Sequence, residues 1–422
     1  MAKTLVKNIG FLSLSQLANY VLPLITIPYI TRVVGPENYG LIEFAGTVML
    51  YFTAVVIYGF TYSSTRRIAA NPRDPRHVNR IFITTLQSRL FLLAVSALIF
   101  VPLLLAVPQF YEHRLLFLYA FPIVIGWALY PDFLFQGLQK LAVIALANTG
   151  IKVLAAVLIF TLLREKSDYY LVVGINAVAQ ISAALATLFY ARRVLPELHW
   201  QSPRWLLIKA YLKSGWYMFL SLFFVRVSSF GTLLFLGFLL SELKMGYYAA
   251  AVKLIFVAQS FMLMPFSGAL FPYLANQLKL DPALFLKAHR RFMLFLTAIC
   301  LIASIGLYAF HSFFIHLIFG QAYAPAERLL QIMSPIIALS AISHFAMKQG
   351  LMVLREDRLH LYLVVFTGLL STAINLALIK LFDLEGAAWA RLSVEMLLAL
   401  CGWITFRFAL ARRTRSGLPP VE

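Results

Sequence analysis

Long apolar runs alternate along this chain with short polar connections rich in Lys and Arg. Most of the runs are near the length of one bilayer crossing, for which a helix needs about 20 apolar residues. Read this way, the pattern predicts twelve spanning helices at residues 9–33, 39–64, 80–106, 115–136, 139–163, 169–191, 214–240, 246–274, 290–318, 328–353, 359–381 and 385–408. The connections are too short to hold a soluble domain. The expected fold class is therefore an all-α membrane protein of about twelve transmembrane helices.

Composition agrees with the pattern. Of the 422 residues, 61% are hydrophobic and 13% charged, against about 45–50% and about 25% in a soluble domain. Mean hydropathy is +0.83. The first apolar run is too long for a secretory h-region and lacks a small-residue cleavage site, so it is expected to stay as a helix. Cys300 and Cys401 both fall inside apolar runs, where packing is the expected role rather than a disulfide, metal or redox site.

The net charge of +19 is distributed unevenly. Alternate connections carry twenty-three Lys and Arg on one side, including Arg66, Arg67, Arg73, Arg76, Arg80, Arg192 and Arg193, but seven on the other, including Arg32, Arg114 and Lys244. The positive-inside rule places the basic set and both termini in the cytoplasm. Most of the excess charge then anchors the chain against anionic lipid rather than nucleic acid.

The connection at roughly 192–213 divides the helices six and six. This predicts an N-terminal lobe over residues 1–205 and a C-terminal lobe over residues 206–422. An offset of 206 residues lays Tyr39–Ala45 on Met245–Ala251 and Phe60–Ala69 on Phe266–Ala275. Such a duplication with an even number of helices gives parallel repeats, an arrangement in which transporters place substrate in a cavity between two lobes. Pro23 and Pro28, Pro122 and Pro131, and Pro265 and Pro272 are expected to kink or break their helices.

Polar positions recur on one face of the first helix (Asn8, Ser15, Asn19, Thr26), of the second (Glu43, Thr47, Tyr51, Tyr58) and of the seventh (Ser214, Tyr217, Ser221, Ser228, Thr232). One such hydroxyl is accounted for by helix–helix hydrogen bonding. A stripe present in both halves is read as facing a wet lumen. Six cations lie inside the apolar runs: Arg89, Lys152, Arg226, Lys253, Lys348 and Arg391. The carboxylates there are Glu43, Asp132 and Glu395. A cation at the bilayer centre costs at least ~2.5–3.5 kcal/mol, so an excess of them points to an aqueous cavity that receives an anion. Lys348 and Arg391 are shallow enough to snorkel. Arg391 has Glu395 one turn on, which predicts a structural ion pair, and Lys348 has His344 one turn before it.

No Walker loop, nucleophile elbow, zinc-protease motif or clustered metal-ligand spacing occurs, so neither an enzyme activity, a metal nor a cofactor is expected. The opening of the chain, Asn8, Gln16, Asn19, Pro23, Pro28-Tyr29-Ile30, Arg32, Gly35 and Tyr39-Gly40, followed by Tyr58-Gly59-Phe60 and Arg66-Arg67-Ile68-Ala69, resembles the Wzx-type O-antigen and polysaccharide-repeat flippases of the multidrug, oligosaccharidyl-lipid and polysaccharide exporter superfamily. The resemblance implies a bacterial inner-membrane protein whose substrate is an undecaprenyl-diphosphate-linked oligosaccharide, with membrane lipids and polysaccharide polymerase or assembly proteins as partners. On that reading Arg226, Lys253 and Arg89 engage the diphosphate and Arg32 guards the outer mouth. Lys152 and Lys348 add positive charge, Asn19 and Tyr51 meet the sugars, and Glu43 or His344 couples an ion. The alternatives are a multidrug exporter, an exporter of another lipid-linked precursor, or a membrane glycosyltransferase or ligase. A multidrug exporter for cationic drugs calls for buried carboxylates, and an enzyme calls for larger loops.

Overall fold

A computed structural model of the chain describes the backbone of residues 2–195, 202 and 204–416, and the side chains of residues 22–195, 202, 204–263, 265–268 and 270–412. Among the described residues all regular structure is helical. The chain divides into two compact units, Met1–Phe223 and Phe224–Glu422.

The first unit begins with α1 (Ala2–Ile57), which continues past Pro23 and Pro28 and turns at Gly35, where φ is 77° and ψ 173°. A side chain disfavours that conformation, and glycine adopts it freely. A left-handed pair, Tyr58 and Gly59 (φ 48° and 75°), separates α1 from α2 (Phe60–Ala70). Then come α3 (Pro75–Ala106), α4 (Pro108–Glu112), α5 (Arg114–Ala120), α6 (Pro122–Leu129), α7 (Asp132–Gly137), α8 (Leu141–Leu162) and α9 (Tyr169–Val194). Helix α6 packs on α9, and α1 on α8. Phe44 lies against Phe110 and Phe117, and Phe100 stacks on Phe121 with centroids 4.3 Å apart.

The second unit takes over within α10 (Trp205–Leu239), between Phe223 and Phe224. It continues through α11 (Glu242–Leu280), α12 (Pro282–Ala309), α13 (His311–Ile318), α14 (Ala326–Met333), α15 (Ile336–Ala346), a π-helical turn at Met347–Leu351, and α16 (Asp357–Ser416). Its core gathers Phe285, Leu296, Phe345 and Phe406. His289 stacks on Phe406 at 4.7 Å and donates from Nε2 to the Phe345 carbonyl at 3.1 Å.

Ten helical segments among the described residues are long and apolar enough to cross a bilayer. Two of them, Leu22–Ala70 and Asp357–Arg412, have 49 and 56 residues. At about 1.5 Å per residue each is more than twice the length needed to span about 30 Å of hydrocarbon. Gly35 breaks the first, and Asp383, at φ 54° and ψ −129°, breaks the second. Each therefore supplies two passes, giving the twelve crossings that the hydropathy pattern predicts. The protein is a multi-pass membrane protein.

Helix starts repeat between the units. Asp74 caps α3, accepting from the backbone N–H of Arg76 and His77, with Pro75 at the first helical position. Asp281 caps α12 in the same way, accepting from Ala283 ahead of Pro282. The offset of 206 residues places the Gly35 break on Ser241, where α10 gives way to α11. These shared devices fit the internal duplication.

Candidate functional site

Proline chemistry shapes the most completely resolved polar site in the first unit. Pro131 has no N–H, so the carbonyl of Trp127 four residues earlier loses its helical donor. The helix stops at Leu129 and restarts as α7 at Asp132, with Tyr130 extended between them. Arg89 of α3 fills the gap. Its Nη1 donates to the Tyr130 carbonyl at 2.6 Å and reaches the Trp127 carbonyl at 3.5 Å. Its Nη2 pairs with Asp132 at 2.9 Å. Thr61 of α2 donates to the other Asp132 oxygen at 2.6 Å. The Phe133 ring covers the guanidinium at 4.9 Å.

Arg89 is 0% exposed. The sequence reading offered it to a diphosphate, and the structure corrects that assignment. The guanidinium is paired with a carboxylate and bonded to backbone carbonyls, and none of its surface is open to a ligand. The break at Pro131 was visible in the sequence. Nothing local pointed to a donor more than forty residues upstream.

The predicted Arg391–Glu395 ion pair is present at 3.1 Å, one helical turn apart and buried. Ser343 of α15 donates to the second Glu395 oxygen at 2.9 Å. Thus two of the six intramembrane cations, and two of the three carboxylates set against them, hold helices together.

The remaining predicted residues are distributed between the units. In the first, Arg32 is exposed just ahead of the Gly35 break, and Lys152 is half-buried on α8. Tyr51 is half-buried, with its ring edge-on to Phe223 at 5.8 Å. Glu43 is half-buried and accepts from the Tyr39 hydroxyl at 3.0 Å. In the second, Arg226 on α10 and Lys253 on α11 are both half-buried. His344 is half-buried, and Lys348 is exposed one turn later in the π-helical turn. Asn19 lies outside the described side chains, as do Asn8 and Ser15.

The polar stripes are only partly what the spacing predicts. Thr26 is buried and donates back to the Leu22 carbonyl at 3.0 Å. Ser228 and Thr232 are buried too, while Tyr217 is 70% exposed. A lumen requires accessible polar groups, so the inner part of the seventh-helix stripe serves packing. Similar back-bonds tie Thr367, Ser371 and Asn375 to their own helix in α16.

This fold, a bundle of broken spanning helices with ion pairs sealed inside each unit, is one that solved multi-pass transporters also have. The solved structures it resembles include an inward-facing MATE-family multidrug resistance transporter of the MOP superfamily, with a TM-score of 0.74 at 16% identity over 97% of this chain and 100% of that one. They also include lipid II flippase MurJ in an inward closed conformation, at 0.66 and 11% over 95% and 89%. A family model described as "Polysaccharide biosynthesis protein" matches residues 5–277, and the chain belongs to that family. A relative from Escherichia coli (strain K12) is 27% identical over 93% of this chain and 94% of its own length. One from Shigella dysenteriae is 24% identical over 93% and 98%. Both are named "Putative O-antigen transporter".

Proposed function

We propose that this protein is a flippase of the bacterial inner membrane that moves an undecaprenyl-diphosphate-linked oligosaccharide from the cytoplasmic to the periplasmic leaflet by alternating access. Family membership and the transporter relatives support transport in polysaccharide biosynthesis. The observation that carries the reading to this substrate is the residual charge of the spanning helices. Six cations stand against three carboxylates within the apolar runs. A sugar diphosphate brings the compensating negative charge, and arginine grips phosphate oxygens in pairs.

In this reading Arg226 and Lys253 engage the diphosphate, Arg32 meets it at the outer mouth, and Lys152 and Lys348 add to the field. Tyr51 and Asn19 hydrogen-bond sugar. Glu43 or His344 carries the coupling ion. The polyprenyl chain stays on the lipid-facing side while the head group crosses.

The test is complementation of a strain lacking its own flippase. Arg226→Ala and Lys253→Ala lose surface polysaccharide and accumulate lipid-linked repeats on the cytoplasmic side, while protein level and thermal unfolding in detergent match the wild type. Arg226→Lys keeps part of the activity. Normal export by both alanine variants overturns the assignment.

A further inference from the structure

Away from these cations, α8 and α9 leave an apolar groove of about 630 Å³ between them. Leu146, Gly150 and Leu154 line it from α8, and Ala179, Ala183 and Tyr190 from α9. Small side chains open it, and a Cβ placed on Gly150 would meet nothing within 4 Å. Both helices are membrane spans. A cleft of this size left empty in a bilayer forfeits dispersion contacts along its walls, so hydrocarbon fills it.

Its dimensions select the occupant. The α8 wall runs from Ala142 to Leu154, which is about 18 Å at 1.5 Å per residue and close to the depth of one leaflet. The groove ends at Ala142 and Tyr190, two residues from Lys140 and Arg192, which are both exposed. Arg193, also exposed, lies over the Phe189 ring at 5.1 Å. An apolar slot of leaflet depth that opens beside a set of cations complements a lipid chain carrying a phosphate head.

We propose that this groove holds the head-proximal segment of the polyprenyl chain of the lipid-linked diphosphate, with its phosphates against Lys140 and Arg192. The proposal rests on the flippase reading above and places the lipid on the basic side of the membrane before the head group crosses. The groove is separate from Arg226 and Lys253, which lie in the other unit.

The experiment uses the full chain in nanodiscs with a long-chain polyprenyl diphosphate bearing a photoreactive group on an early isoprene unit. Cross-links are expected in Ala142–Leu154 and Ala179–Tyr190. They are expected to disappear in Gly150→Trp, where the new ring enters open space, and to persist in Val157→Trp, which lies on the exposed face of α8 outside the groove. An excess of phosphatidylglycerol is expected to leave them unchanged. Displacement by phosphatidylglycerol makes the groove a site for bulk lipid and overturns the proposal. Labelling that maps elsewhere in the chain also overturns it while leaving the flippase reading intact. Absence of specific labelling anywhere sinks both.

Discussion

A guanidinium with no exposed surface needs protein partners in place of water. The Nη atoms of Arg89 find them in the Trp127 carbonyl that Pro131 releases, in the Tyr130 carbonyl and in Asp132, which Thr61 also holds. Removing one member of a buried pair strands the other charge, at a cost of about 3–5 kcal/mol. Arg89→Gln and Asp132→Asn should each lower the unfolding temperature of detergent-solubilised protein. Because both also lose protein level in cells, their export defect follows the loss of fold. Arg226→Ala is distinguished by losing export at full protein level. Wild-type unfolding in both Arg89→Gln and Asp132→Asn would show that the pair contributes nothing to the fold. The Arg391–Glu395 pair was legible in the sequence because a four-residue spacing on a helix brings side chains together without help. Arg89 and Asp132 lie on different helices, and no periodicity connects them.

Helix breaks are set by a few residues whose backbone or packing admits no ordinary substitute. In α16 the chain reverses at Asp383, in a left-handed conformation that a non-glycine residue adopts at a cost of about 1–3 kcal/mol. Lys244 pairs with its carboxylate. Three residues on, Gly386 packs so closely that an added Cβ would lie 1.9 Å from the Leu378 carbonyl oxygen. Gly386→Ala should therefore push the two arms of α16 apart and cost about 2 kcal/mol or more, as overpacking does. Gly150→Ala, facing open space, should unfold like the wild type. Equal unfolding temperatures for the two alanine variants would refute the close approach at Gly386. The sequence placed a connection near residues 381–385, and of the two outcomes expected for the prolines of α1 and α11, kink or break, a break does not occur. Pro23 and Pro28 lie inside α1, and Pro265 and Pro272 inside α11, because helix interiors in a membrane tolerate proline when neighbours satisfy the freed carbonyl.

At the scale of the whole molecule, alternating charge makes a prediction about orientation. Single cysteines at Ala70, the last residue of α2 ahead of the basic connection, and at Ala322, between α13 and α14, are both at exposed positions. In a background with Cys300 and Cys401 replaced, a membrane-impermeant maleimide added to intact spheroplasts should label Ala322→Cys and spare Ala70→Cys until the membrane is opened. The reverse pattern would invert the topology and place the basic connections outside. What the sequence by itself determined is the all-helical class, the twelve crossings and the local Arg391–Glu395 pair. Those follow from hydropathy and from spacing along one helix, which are properties of neighbouring residues. The tertiary structure alone decided which polar groups are used up inside the bundle. It sealed Arg89 into the Pro131 break, buried Ser228 and Thr232, and opened the groove between α8 and α9. Burial depends on what other helices bring, and no stretch of chain carries that information about itself.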